Sequence, residues 1–169
     1  MKALVVYESM FGNTRSLAEA IAEGLRVGAD VDVRPVAAAP PEPDPAYQLV
    51  VVGGPTHAFS MSRASTRADA VRQGADAEPA VGIREWLEGL PSYGRKARLA
   101  TFDSRVSKVR HLPGSAAKSA VKAARRHGFG HTEPPESFYV EDVAGPLLPG
   151  ELDRARQWGS DLVKKAALV

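Results

Sequence analysis

A doubly wound α/β domain built on a parallel sheet is the fold class this sequence predicts, on three observations. Short continuous apolar runs rich in β-branched residues recur along the chain, as strands buried on both faces require. Segments with apolar residues at helical spacing separate most of these runs. The length of 169 residues suits one domain with a sizeable core, and neither repeat nor linker interrupts it, so 1–169 reads as one unit.

Ala3-Leu4-Val5-Val6-Tyr7 is the first such run and predicts a central strand. After a loop at 8–13, Leu17, Ala18, Ile21, Ala22 and Leu25 recur at helical spacing, with Gly28 as a stop. Val31-Asp32-Val33-Arg34 alternates and ends at Pro35, as an edge strand does. The stretch 37–46 carries four prolines and reads as loop. Leu49-Val50-Val51-Val52 predicts a second buried strand, closed by Gly53-Gly54-Pro55. Residues 60–80 hold Val71 as nearly the only sizeable apolar side chain and read as a long loop, functional or mobile. Ile83, Trp86, Leu87 and Leu90 form a short helical stripe ending at Pro91. Leu99-Ala100-Thr101-Phe102 predicts the fourth strand, and Ser115 the N-cap of a helix running to Arg126 and closed by Gly128. Ser137-Phe138-Tyr139-Val140 predicts the fifth strand. The last helix starts near Gly150 or Glu151, with Leu152, Ala155, Gly159, Leu162, Val163 and Ala166 on one face.

Composition narrows the function classes. At 44% hydrophobic and 25% charged, the chain is neither disordered nor a coiled coil. No apolar run approaches the roughly 20 residues of a membrane span, and the start Met1–Glu8 has too short an apolar run for a secretory signal, so a cytoplasmic protein is expected. The chain has no cysteine, which excludes disulfides, thiolate metal sites and cysteine nucleophiles. The four histidines show no HxH or HExxH spacing, so no metal site is expected. Net charge is +2, yet residues 95–128 carry ten basic side chains against Asp103 alone. Such a segment predicts a basic face that attracts an anionic partner or cofactor, or a solvated helix face. Phe102 is the only aromatic within it, too few for base stacking, so no nucleic-acid role is expected.

The chemistry concentrates in the loops after the first, third and fourth strands, where open parallel sheets bind ligands. Between strand and helix stand Ser9, Met10, Phe11, Gly12, Asn13 and Thr14. Ser9 and Thr14 can supply hydroxyls, Gly12 admits close backbone approach, and the amides of 10–14 can form a nest at a helix N-terminus, which together suit a phosphate monoester. Neither GxxxxGK[ST] nor GxGxxG is present, so this is neither a nucleoside-triphosphate loop nor a dinucleotide fingerprint. The same residues also make an ordinary capped turn.

Tyr7-Glu8-Ser9-Met10-Phe11-Gly12-Asn13-Thr14 resembles the FMN-phosphate loop of flavodoxin-like proteins, roughly [ST]-x-[ST]-G-x-[ST], with Ser9, Gly12 and Thr14 matching and Phe11 where a hydroxyl is usual. Val51-Val52-Gly53-Gly54-Pro55-Thr56-His57 resembles the strand and second flavin loop of that family. The resemblance covers essentially the whole chain. It implies a five-stranded parallel sheet in order 2-1-3-4-5 with helices on both faces, and FMN across the carboxyl ends of strands one, three and four. It places the phosphate on 9–14 and the ring between Pro55, Thr56, His57, Ala58 and Phe59 on one side and Asp103, Ser104 and Arg105 on the other. Phe59 could stack on the ring, His57 approach it as a donor or cation, and Arg105 bring positive charge to its pyrimidine edge. The aromatic that often covers the outer face in this family is missing, since none follows Phe102 until Phe129. A positive rim predicts a less negative potential for full reduction. The functions implied are an electron carrier with a protein redox partner, or a small flavin reductase. The alternatives are an NAD(P)H:quinone oxidoreductase, for which the 60–80 stretch offers extra structure, and a flavin-poor binding module using the basic 95–128 surface.

Overall fold

The computed structural model describes residues 1–75 and 80–168. In chain order come β1 (Lys2–Tyr7), α1 (Asn13–Leu25), β2 (Asp30–Pro35), β3 (Leu49–His57), β4 (Ser60–Met61), α2 (Ala64–Arg72), α3 (Ile83–Glu88), β5 (Arg95–Val106), α4 (Ala116–Arg126), β6 (Phe129–Thr132), β7 (Glu136–Val140) and α5 (Glu151–Ala167). The main sheet runs β2-β1-β3-β5-β6 with every neighbouring pair parallel. The doubly wound sheet expected from the sequence is therefore the one formed, with the same strand order.

Alternation along the strands feeds two cores. Ala3 and Val5 of β1, Val51 of β3 and Phe102 of β5 face α1 and α5, where they meet Leu17, Ile21, Leu25 and Leu162. Leu4, Val6, Val50, Val52 and Leu99 face the other way, onto Ile83, Leu87 and the alanine-rich side of α4. Phe102, Phe138 and Trp158 pack edge to face with centroids 6.0–6.4 Å apart. On the first face, α1 and α5 touch through glycine. A Cβ at Gly24 would collide with the Arg156 carbonyl, and one at Gly159 with the Ile21 carbonyl. Backbone cannot yield as a side chain does, so Gly24→Ala costs about 1–3 kcal/mol by overpacking. At roughly 2–4 °C per kcal/mol, its melting temperature falls by about 2–12 °C; a variant melting with the parent removes this contact from the reckoning.

Three expectations need correction. The fifth strand is two segments, β6 and β7, both parallel to β5. Pro134 and Pro135 lie between them, and neither can donate to a ladder, so pairing stops and restarts. Residues 60–75 are not a loop: Ser60–Met61 pairs with β3 as a hairpin, and Ala64–Arg72 is helical. That helix is held by a buried arginine, Arg67, rather than by an apolar stripe, so periodicity does not reveal it. Of the rest of that predicted loop, residues 76–79 lie outside the described residues and Ala80 is in neither helix nor strand. Leu152 is 42% exposed, because α5 turns Glu151 and Ala155 inward instead.

Candidate functional site

The carboxyl ends of β1, β3 and β5 meet at one cavity. Its walls are Met10, Phe11, Asn13 and Thr14 from the loop into α1, Pro55-Thr56-His57 from β3, Ser104-Arg105-Val106 from β5, and Val140 and Val143 beyond β7. Nine of the residues singled out in the sequence thus converge. Ser9, Gly12, Ala58, Phe59 and Asp103 do not line the cavity, and each has a different local task.

Ser9 and Gly12 shape the loop. The Gly12 amide donates to Ser9 Oγ at 3.1 Å, and Gly12 takes φ +92°, which only glycine adopts without strain. The Gly12 carbonyl accepts from the Ser16 amide at 3.0 Å and starts α1. No side chain caps this helix. Among the described residues, the amides of Asn13, Thr14 and Arg15 donate to nothing, so they remain available to an external acceptor. Thr14 Oγ1 lies 2.8 Å from Ser104 Oγ in a buried pair that joins this loop to β5. Asn13 Nδ2 donates to the Ala144 carbonyl at 3.2 Å, which brings Val143 to the cavity.

The neighbouring helix N-terminus is filled by the protein itself. The first three amides of α4 are satisfied by Thr56 Oγ1 on Ala116 (2.9 Å), Asp103 Oδ2 on Ala117 (2.9 Å) and Ser115 Oγ on Lys118 (3.3 Å). Asp103, fully buried, therefore faces α4 rather than the cavity. Burial pushes its carboxyl above the usual range, against the Ala117 amide. Of the two helices that start at the strand ends, α1 alone offers free donors among the described residues.

Arg105 is turned inward at 5% exposure. Its Nη2 donates to the carbonyls of Val109 (2.9 Å) and Leu112 (3.2 Å), and its Nε has no partner. A guanidinium thus lies in the cavity wall with one buried donor unused. His57 Nδ1 sits 3.0 Å from Thr66 Oγ1 of α2. Burial, and secondarily the Arg67 charge, hold its pKa below 6.5, so of the two expected roles, donor or cation, the neutral donor is the one favoured at pH 7. The stability carried by a neutral His57 is complete above pH 6.5 and is lost as pH falls through its depressed folded value. His57→Gln should therefore flatten the loss of melting temperature between pH 7 and pH 5; an unchanged profile would assign that loss elsewhere.

Ala58 and Phe59 form the β3–β4 hairpin tip, both with positive φ (47° and 60°). Phe59 is 44% exposed. The sequence reading missed Val106, Val140 and Val143. Val106 lies on an extension of β5 past the apolar run, and Val140 ends the strand beside it, so strand register was the available signal for both.

Beneath the loop into α1 lies a buried polar cluster. Glu8 Oε2 accepts from Ser62 Oγ (2.5 Å) and Oε1 from the Ile83 amide (2.9 Å). Arg67 Nη1 donates to Ser62 Oγ (3.0 Å), and Nη2 to Glu85 Oε1 (2.6 Å). This cluster ties the end of β1 to α2 and α3.

A protein-family model described as Flavodoxin matches residues 5–131. Among solved structures, a flavodoxin from the domain Archaea superposes with a TM-score of 0.66 at 22% identity, covering 99% of both chains. The flavodoxin of Streptococcus pneumoniae TIGR4 gives 0.60 at 17% identity over 98% of this chain and 99% of that one. A WrbA-like flavodoxin from Agrobacterium tumefaciens gives 0.56 at 19%, covering 99% and 98%. At these identities the structural likenesses show the fold. No curated protein matches the chain in sequence.

Proposed function

Because the chain belongs to the flavodoxin family, we propose that it binds FMN at the cavity above β1, β3 and β5 and carries electrons to a redox partner. The observation that carries this reading is the contrast between the two helices: three side chains cap α4, while α1 keeps its first amides free beside the Ser9, Thr14 and Ser104 hydroxyls. The donor set fits a phosphate monoester, which needs several N–H groups and hydroxyls aimed at one point. Val106, Val140, Val143, Pro55 and Phe11 give the adjoining walls the apolar character that a flat aromatic ring requires.

Bound FMN supplies reversible acceptance of electrons. The chain's own residues do the rest. The free amides of 13–15 and the Thr14 hydroxyl hold the anionic end, and Ser104 fixes Thr14 in place. Arg105 contributes positive charge in the wall, while neutral His57 offers a polar ring edge. Asp103 and Ser115 act one layer back, and Thr56 from the wall itself, by anchoring α4 and so the loop that follows β5.

The test is the absorption spectrum of purified protein after incubation with FMN and removal of the excess. Flavin bands that elute with the protein are expected. FMN at 100 times its Kd should add about 2.7 kcal/mol of stability, or about 5–11 °C in melting temperature at this size. A colourless protein with an unshifted melt would reject the cofactor. Thr14→Val removes one buried hydroxyl and strands Ser104, so it should weaken FMN binding about 5- to 150-fold, for a loss of about 1–3 kcal/mol. Adding NADPH and a quinone to the loaded protein separates carrier from reductase: a carrier gives no steady NADPH oxidation on its own.

A further inference from the structure

Residues 104–132 contain no acidic side chain. The structure sorts the cations of this region into two groups. Arg95 pairs with Glu42, Arg98 with Glu133, and Arg105 is committed to loop carbonyls. Lys108 and Arg110 in the loop after β5, and Lys118, Lys122, Arg125 and Arg126 on α4, are exposed, and none forms an ion pair among the described residues. The α4 cations recur at helical spacing on the outer side, opposite the buried Ala116, Ala120, Ala123 and Ala124. The α1–α5 side differs: Arg15 pairs with Glu19, Arg156 with Glu23 and Asp153, and Lys164 with Asp161.

The basic stripe begins at the cavity. Arg105, a wall residue, fixes the 107–112 loop through the Val109 and Leu112 carbonyls, so Lys108 and Arg110 are presented on a built loop. At the same end, Leu112 is 47% and Phe59 44% exposed, and the Phe59 backbone packs against Gly114. Phe59 holds φ +60°, a left-handed conformation that strains a residue with a Cβ. Its exposed ring returns little of that through burial in the monomer. A strained, exposed aromatic beside a cavity fits an anchor for a second surface.

We propose that the face running from Phe59 and Leu112, past Lys108 and Arg110, along Lys118 and Lys122 of α4 is the docking surface for an acidic redox protein. The partner's carboxylates would meet the unpaired cations, and an apolar patch within them would receive Phe59 and Leu112. The redox character of the partner rests on the FMN reading; the sign of its charge does not. A nucleic acid is the less suited polyanion, because Phe102 and Phe129 are buried and the cations of α4 run on from Phe59 with no further aromatic between them for successive bases to stack on.

Isotope-labelled protein, with and without FMN, is titrated by NMR with an acidic haem protein, cytochrome b5, and with a basic one, cytochrome c. Cytochrome b5 should shift amides of 58–60 and 107–126, and salt at about 0.3 M should abolish the effect. K118E/K122E and R110E should each weaken its binding about tenfold, while K164E on the far side leaves it unchanged. Phe59→Ser, which relaxes nothing in the core, should also weaken it. Binding of cytochrome c in preference to cytochrome b5, or shifts centred on α1 and α5, would overturn the proposal. So would a single-stranded oligonucleotide that displaces cytochrome b5 from the same amides. Because binding is read with or without FMN, loss of the flavin reading would show separately as a colourless protein that still docks.

Discussion

Arg67→Met should lower stability by about 3–5 kcal/mol, the range for removing one partner from a buried charge cluster, and so lower the melting temperature by about 6–20 °C. Arg67 is 1% exposed on α2, and Glu8, also 1% exposed, closes β1. Burial raises the Glu8 carboxyl above its ordinary range; Ser62, the Ile83 amide and the Arg67 charge act to lower it. Deleting the cation leaves that carboxylate facing low dielectric with less compensation. The pH dependence tests the cause. A carboxyl with a raised folded pKa contributes stability that is complete below its unfolded value and is lost as pH rises through the folded one. Without Arg67 the rise is steeper, so the variant's deficit should be largest at pH 7 and shrink at pH 4, where Glu8 binds its proton. Glu8→Gln in the same chain should recover part of the loss. A deficit under about 1 kcal/mol at pH 7 would show that the cluster does not hold α2 to the sheet.

The same cluster explains where sequence reading stopped. Strands β1, β3 and the middle of β5 are continuous apolar runs and α1 carries apolar residues at helical spacing, so their pattern exposes them, while α4 is legible from its Ser115 cap and Gly128 stop. The loop at 9–14 is readable as a candidate for another reason: hydroxyls, a glycine and a helix start stand at the spacing of the flavodoxin-like phosphate loop, although the same residues also make an ordinary capped turn. α2 is opaque because its inward residue is an arginine, whose burial depends on Ser62 and Glu85 being placed by the fold. Asp103 and Phe59 are legible as neighbours of the site but not in direction. Asp103 turns to the amide of Ala117, and only the start of α4, set by Ser115 in space, decides that. Phe59 follows the left-handed hairpin tip outward, a backbone state that the residue type argues against. The split of the last strand was written in Pro134-Pro135, but β6 buries only Phe129 and so carries no period to read.

Arg105→Gln should make the two-electron midpoint potential of the FMN-loaded protein more negative. Full reduction places negative charge on the flavin, and a buried guanidinium in the cavity wall stabilises that form by Coulomb attraction. At an effective dielectric of about 20 one charge contributes at most about 4 kcal/mol at contact distance, so the shift should amount to some tens of millivolts, on a scale where about 30 mV is about 1.4 kcal/mol for a two-electron couple. Lys108 and Arg110 stand in solvent and are screened; Arg105 is 5% exposed and is not. The shift should therefore persist at high salt, where any contribution of the surface cations fades. Arg105 also holds the carbonyls of Val109 and Leu112, so glutamine will loosen that loop as well as remove charge. Arg105→Lys separates the two effects. Lysine keeps the charge but not the fork, so its potential should stay near that of the parent even if FMN affinity falls. A glutamine variant with the parent's potential, or lysine and glutamine variants shifted equally, would mean that the loop geometry sets the potential and the buried charge does not.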